Sequence, residues 1–389
     1  MQHYFDNAAT SFPKPDEVVE AMIAYQNHCG ASPGRGAYKQ AQDASRILDD
    51  CRDALCELVH AEQHECIFMC NCTDALNLAI FGIASHCLTN QEPCHFVTTA
   101  MAHNSVLRPF HMLNGHGITF TIVDADPKTG LVNPAEIQNA VTQDTKLIAI
   151  AHGSNVTGTL QDLHTIGELS GDIPFLVDAA QTMGHVPIDA QAMNIDILAF
   201  PGHKGLFGPL GTGGLLMKPG LEKIMNPSRY GGTGSASELP TQPTTLPDYY
   251  ESGSHNTLGI AGLLAGVRWI RNRGVNSLYQ HEQMLSQEFI DGINTIESVS
   301  IIGPQTIRNR CGVFSLRTEV DPHQFAKTLE EECGACVRAG LHCAPFAHET
   351  MGTAHQGGTA RISFGPFHTI EDVQQLVEGI SRCTQQILI

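Results

Sequence analysis

The sequence predicts an α/β protein: a mostly parallel sheet with helices on both faces, followed by a smaller α+β C-terminal domain. Three observations predict it. Short apolar runs alternate with helical stretches from about residue 40 to residue 217, the pattern of a parallel sheet crossed over by helices. Two of those runs, Phe175-Leu176-Val177 and Ile197 to Phe200, deliver Asp178 and Pro201-Gly202-His203-Lys204 just past their ends. Beyond residue 257 longer helices are interleaved with strands near 299–302, 313–316 and 360–364, which describes a separate α+β unit.

A chain of 389 residues has length for one large domain plus a smaller one. Its 42% hydrophobic and 16% charged residues describe a globular protein. Lys+Arg 22 against Asp+Glu 40 gives a net charge of −18, which argues against nucleic acid and anionic membranes as partners. The start Met1-Gln2-His3-Tyr4-Phe5-Asp6 lacks the basic and apolar regions of a signal peptide, and no apolar run reaches the length of a membrane span. A cytoplasmic location follows as the expectation. Thirteen cysteines without an export signal then read as free thiols. Cys333-Gly-Ala-Cys336 has no second pair at zinc-site spacing, so no metal is expected.

Taken in order, Tyr4 to Thr10 is an extended start ended by Pro13 and Pro15, and Asp16 is placed to cap a helix to about Cys29. Gly30 to Ala37 is a glycine-rich loop with Arg35 as its charge. An amphipathic helix over about 40–60 and a short strand over 66–70 lead into a helix opened by Asn71-Cys72-Thr73-Asp74. That turn is either a plain N-cap or an anion site, because the first helical N–H groups are unpaired and the dipole favours a phosphate. His103 follows the strand 95–99, where an imidazole can lie against a flat ligand or simply cap a helix. Strand 119–123, a helix near 134–141 and strand 147–151 continue the alternation, with Asn155 just past the last. After the turn at 211–214 and a strand through Met217, a loop over 240–247 leads to Ser254-His255-Asn256 and a helix over about 257–271. The later helices fall near 276–296, 323–332 and 370–383.

Ligands in open α/β sheets sit outside the carboxyl ends of the strands, so Asp178 and Lys204 bring an acid and an amine to one site. That pair suits pyridoxal phosphate (PLP), whose aldehyde needs a lysine and whose ring nitrogen needs a carboxylate to hold its proton. Spacing alone fits two buried strands with a surface lysine and a capping aspartate better, since short motifs match often by chance. A second centre is Arg338-Ala-Gly340-Leu-His342-Cys343-Ala-Pro345. A thiol between glycine and proline, beside His342 and near Arg338, predicts a mobile, electropositive setting in which the thiolate is favoured. A buried structural cysteine is the alternative.

Val177-Asp178-Ala179-Ala180-Gln181, Gly202-His203-Lys204-Gly205, the glycine-rich 208–214, the Cys343 stretch and Gly357-Gly-Thr-Ala-Arg361-Ile-Ser-Phe-Gly365 occur in one order. Together they resemble the class V aminotransferases, in particular the second group of the cysteine desulfurase and selenocysteine lyase family. The resemblance is collinear from Asn7 to Arg361. It implies the PLP-dependent transferase fold of type I, with a large PLP-binding domain over 14–253. Residues 1–13 and 254–389 form the small α+β domain that carries the nucleophile loop. By the same resemblance Lys204 is the Schiff-base lysine, Asp178 the partner of the ring nitrogen, and Asn155 and Gln181 the partners of the ring oxygen. His103 stacks on the ring and moves protons. The phosphate falls to Thr73 with the amides of Cys72 and Thr73, to His203, and to Ser254 of a neighbouring subunit, which implies a homodimer. Asn7, Ala8, Arg338 and Arg361 line the substrate pocket, Arg361 taking the carboxylate in two parallel hydrogen bonds.

The implied activity converts cysteine to alanine and leaves the sulfur on Cys343 as a persulfide, for an acceptor protein or a small thiol. Selenocysteine is the other substrate the resemblance allows. An aminotransferase or a cysteine/cystine β-lyase on the same scaffold would keep Lys204, Asp178 and Arg361 and make Cys343 incidental. A Cys/His-rich thiol or metal carrier is the alternative from another class. One departure stands out: the family usually has Ser or Thr where this chain has Pro201, which offers neither hydroxyl nor N–H to a phosphate.

Overall fold

The computed structural model describes residues 3–34 and 36–387, so Arg35 lies outside the described residues. The chain opens with β1 (His3–Tyr4), α1 (Asp16–Ala24) and α2 (Lys39–Leu58). An alternating run follows: β2 (Glu65–Met69), α3 (Cys72–Asn90), β3 (His95–Thr99), α4 (Asn104–Asn114), β4 (Thr119–Val123), α5 (Pro134–Ala140), β5 (Thr145–Ala151), α6 (Leu163–Ser170), β6 (Phe175–Asp178), β7 (Ile197–Pro201) and β8 (Gly213–Met217). After α7 (Thr257–Arg273) and α8 (Val275–Ile293) come β9 (Val299–Ile302), β10 (Val313–Thr318), α9 (Pro322–Cys333), β11 (Ala335–Cys336), β12 (Arg338–Gly340), α10 (Pro345–Thr350), β13 (Thr359–Ser363) and α11 (Ile370–Ile387).

Seven strands form one sheet in the order β2-β8-β7-β6-β5-β3-β4. β8 runs antiparallel to both neighbours, and the other six are parallel to one another, as expected. β5, β6, β7 and β8 read as near-continuous apolar runs because helices cover both faces of the sheet, while β3 buries His95, Thr98 and Thr99 with their side chains hydrogen-bonded or enclosed. One apolar layer lies between the sheet and α2 and α7, and the other between the sheet and α3 and α4. The second sheet, β12-β13-β10-β9, is antiparallel and packs on α8, α9 and α11. The N-terminal arm lies against it: β1 pairs with β11 in a separate two-stranded sheet, and Asp6 bridges to Ser363 of β13. Helix α7, in contrast, packs on α1 and α2 and shares the core of the large sheet.

Three local expectations are corrected. Asp16 does not cap α1; Pro15 holds the N-cap position without a side-chain bond, and Asp16 is the first helical residue, where its charge suits the dipole. The helix is α only to Ala24, and Tyr25–Cys29 widens into a π-turn ended by Gly30 with φ +56°. Helices α4 and α6 are not anticipated by the sequence pattern. α4 carries Pro109 in its interior, and α6 spans only 8 residues.

Candidate active site

Six parallel strands put their carboxyl ends on one edge of the large sheet, and five of them deliver the candidate residues. Cys72 and Thr73 follow β2, His103 follows β3, Asn155 follows β5, Asp178 ends β6, and His203 and Lys204 follow β7. These residues, together with Gln181, line a single cleft, joined by Asn71, Ser105 and Pro201. Lys204 and Gln181 also line an adjoining chamber, to which Asn7 and Ala8 contribute from the N-terminal arm. Of the expected cofactor ligands only Ser254 is elsewhere. It is exposed in a second cleft with Cys70, Arg229 and His255.

Asp178 is buried and accepts from the Ala180 N–H at 2.9 Å, and the Cys72 thiol lies 3.5 Å from the same oxygen. Burial pushes that thiol well above its usual range, so it stays protonated and can donate. Gly202 is needed where it stands: a Cβ there would meet Thr212 Oγ1 at 2.1 Å, in the turn that brings Lys204 round to the cleft. The Lys204 ammonium is pushed down to about 8, first by burial and then by Arg361, so the neutral amine is far more populated near neutrality than in an ordinary lysine. His203 is lowered to about 4, by burial and then by Lys204 and Lys14, and its Nδ1 is buried without a partner.

His103 is also held below its usual value, chiefly by burial. Its Nδ1 accepts from the Ser105 N–H at 3.1 Å, which leaves the ring proton on Nε2. The Ser105 hydroxyl sits 2.9 Å from the same Nδ1 and 2.8 Å from Thr73 Oγ1, linking the strand ends of β2 and β3. Sequence reasoning misses Ser105; its only signal is a hydroxyl two residues beyond His103.

On the small sheet Arg338 and Arg361 are directly opposite one another across β12 and β13. Two guanidiniums in that register repel, and Asp6 relieves them, pairing with Arg361 Nη2 at 2.8 Å and with Arg338 Nε at 3.0 Å. Arg361 is buried, donates to Asn155 O at 3.2 Å, and keeps an Nε with no partner. Asp6 is the second residue that sequence reasoning misses.

Cys343 is exposed on the turn between β12 and α10. His342 and Cys343 have φ of +49° and +59°, left-handed backbone that non-glycine residues hold at a cost. The neighbours fix it: Asn155 Nδ2 donates to His342 O, and the Asn104 N–H donates to Cys343 O at 2.8 Å. Gly358 lets the turn pass, since a Cβ there would meet Gly340 O at 2.0 Å. The electropositive expectation is corrected for His342. That ring is buried against Thr359 and its pKa is pushed down to about 2, by burial and then by Arg361, so it is neutral beside the thiol.

A family model described as "Aminotransferase class-V" matches residues 3–376. The chain belongs to the class-V aminotransferase family. Among the class-V relatives similar to it, a "Probable cysteine desulfurase" of Methanothermobacter thermautotrophicus is 33% identical over 97% of this chain and 94% of its own. A second "Probable cysteine desulfurase", from Pyrococcus abyssi, is 31% identical over 95% of this chain and 91% of its own. The solved "Apo structure of Cysteine Desulfurase from Thermococcus onnurineus NA1" superposes with a TM-score of 0.91 at 29% identity, covering 99% of this chain and 95% of that one. This class-V chain therefore has the type I α/β fold expected of it.

Proposed function

We propose that the protein is a PLP-dependent cysteine desulfurase. The observation that carries it is one cleft uniting Lys204, Asp178 and His103, with an exposed cysteine on a turn tied to the cleft by Asn155 Nδ2 on His342 O and held by the Asn104 N–H on Cys343 O. Three features support a fit to PLP. The N–H groups of Cys72 and Thr73, first in α3, have no helical acceptor and suit a phosphate. The orphaned Nδ1 of His203 offers a further donor, and buried Asp178 offers a carboxylate for the ring nitrogen. Pro201 lines the cleft without a hydroxyl, so the phosphate depends more on α3 and on Ser254.

When bound, PLP supplies an electron sink for the charge left by loss of a substrate α-proton. The amine of Lys204, with its lowered pKa, takes that proton, and neutral His103 offers its Nε2 proton to the substrate side of the cleft. Arg361 holds the substrate carboxylate with the edge bearing its unpartnered Nε, while Asn7 and Ala8 close the chamber wall. The Cys343 thiolate forms an S–S bond with the substrate sulfur as the substrate's Cβ–S bond breaks. Protonation at Cβ leaves alanine, and the sulfur stays on Cys343 as a persulfide for a thiol acceptor.

The reading includes a homodimer, because Ser254 lines a different cleft from the one that holds Lys204 and would reach the phosphate of another copy. It also divides the chain near the expected boundaries, with α7 kept in the larger unit by its packing on α1 and α2. No helix among the described residues is long and apolar enough to cross a membrane. Borohydride reduction of PLP-loaded protein followed by peptide mapping is expected to place the pyridoxyl group on Lys204, with alanine released from added cysteine. A label on another lysine, or no alanine, overturns the reading, and alanine from selenocysteine alone makes it a selenocysteine lyase.

A further inference from the structure

The His203 carbonyl, the peptide oxygen immediately before Lys204, is crowded by donors from the N-terminal arm. The Ser11 N–H lies at 3.1 Å, Thr10 Oγ1 at 3.0 Å, Ser11 Oγ at 3.1 Å and Lys14 Nζ at 3.2 Å. Lys14 Nζ also donates to Ser11 Oγ at 2.9 Å, so the hydroxyl is held between the ammonium and the carbonyl. A carbonyl oxygen has two lone pairs, and the charged donor competes best for them. Pro13 and Pro15 flank Lys14 and stiffen the backbone that presents it. Among the described residues no carboxylate lies within ion-pair distance of this half-buried ammonium, in a chain whose net charge is −18. An ion pair therefore does not explain its place; the carbonyl before Lys204 does.

The same arm carries Ala8, whose carbonyl accepts from Gln181 Nε2 at 3.0 Å and whose N–H donates to Ser363 Oγ at 2.8 Å. The arm thus runs from the small sheet, past the chamber wall, to the loop of Lys204. On its other side that loop is already tied down, by Gly202 N–H to Thr212 O at 2.8 Å and Phe207 N–H to Lys204 O at 2.9 Å.

We propose that Lys14 is a positioning residue for Lys204, clamping the substrate-side arm onto the peptide that presents the cofactor lysine. The proposal rests on the reading of Lys204 as that lysine. Losing the clamp loosens two things at once, the wall formed by Asn7 and Ala8 and the direction of the Lys204 side chain. It also strips the charged donor from the His203 carbonyl, whose oxygen then leaves more negative charge beside Lys204 and favours the protonated form of its nitrogen.

The test uses whole protein loaded with PLP, comparing wild type, Lys14→Met, Lys14→Arg and Ser11→Ala. Two readouts separate positioning from mere stability: the pH midpoint of the near-visible PLP absorbance, and the split between KM and kcat for cysteine. Lys14→Met is expected to raise that midpoint by at least about 0.3 pH unit, a twofold change in proton affinity, and to raise KM about fivefold with kcat changed less. Lys14→Arg should restore most of both, and Ser11→Ala should give a smaller change in the same direction. A lower melting temperature with midpoint and KM unchanged in both Lys14→Met and Ser11→Ala overturns the proposal. If Lys14→Met does not fold, an unchanged midpoint and KM in Ser11→Ala overturns it alone. Wild-type protein that carries PLP elsewhere than Lys204 defeats the functional reading instead, before any variant is compared.

Discussion

Cys343 occupies backbone that only its surroundings can hold. Two consecutive left-handed non-glycine residues cost on the order of 1–3 kcal/mol each, and the bonds from Asn155 and Asn104 offset that. A structural cysteine needs no such arrangement; an exposed sulfur fixed beside a cleft does. Replacing Cys343 by Ala removes an exposed atom, so melting temperature and PLP absorbance should stay close to wild type. Cysteine turnover should fall by about 100-fold or more, because no other group replaces the nucleophile. Selenocysteine turnover should fall less, since selenide leaves more readily. Near-normal alanine release from cysteine in Cys343→Ala would transfer the case to the β-lyase reading. Neutral His342 contributes no charge there, and its part is to shape the turn through Thr359.

At the scale of elements, Glu251 joins two of them to its own turn. Its carboxylate accepts from both Nη atoms of Arg52 on α2 at 2.8 and 2.7 Å, from the Phe68 N–H on β2 at 2.5 Å, and pairs with His255 Nε2 at 2.6 Å. Arg52 also donates to Cys66 O and stacks its guanidinium 4.4 Å from the Phe68 ring centroid. Burial alone would raise the Glu251 pKa, but His255 and Arg52 outweigh it and keep the group ionised. Removing one partner of a buried pair leaves the other charge uncompensated, at a cost of about 3–5 kcal/mol. Glu251→Gln is therefore expected to lower the unfolding free energy by that amount, read as a lower urea midpoint. Ser254 lies in the same turn, so PLP retention should weaken as well. A variant with wild-type midpoint and wild-type PLP retention would show that the network carries neither role.

For the whole molecule, buried neutral histidines set the acid limit. His152, His342 and His348 are buried, and burial lowers their pKa values to about 3, 2 and 4. In the unfolded chain these groups titrate near 6.5, so below that pH the unfolded state binds more protons than the folded one. The sign follows: their contribution is intact above about 6.5 and is lost as pH falls below it, down to about 4 for His348, 3 for His152 and 2 for His342. Each removes up to about 1.4 kcal/mol per pH unit across that window. His185 acts in the opposite sense, because Glu282 at 2.8 Å raises its pKa and its pairing is lost as pH rises. His60 is likewise raised, by Asp189, but is exposed, so the three buried groups dominate and the urea midpoint should drop clearly between pH 7 and pH 5. A flat profile over that range would refute this account, and His348→Gln should make the slope shallower.

Much of the large sheet is legible in the chain itself, because a strand covered on both faces must be apolar throughout and ends where polarity returns. β6 and β7 hold the runs Phe175 to Val177 and Ile197 to Phe200, as their residues predict, and in the small sheet β9 spans 299–302 as predicted. The parallel order then follows from helices between strands, and with it the edge that gathers Asp178, His203 and Lys204. Helix boundaries are less legible where a local signal misleads: Pro109 reads as a breaker, yet α4 closes around it. What no local pattern encodes is the set of partners that tune the site. Asp6 meets Arg361 across 355 positions, and Lys14 meets the His203 carbonyl across 189. The charge of His342 depends on how deeply the fold buries it, and sequence neighbours alone suggest the opposite state. Period and composition determine which face of an element is apolar; only the tertiary structure decides which polar groups meet, since those contacts join residues that share no period.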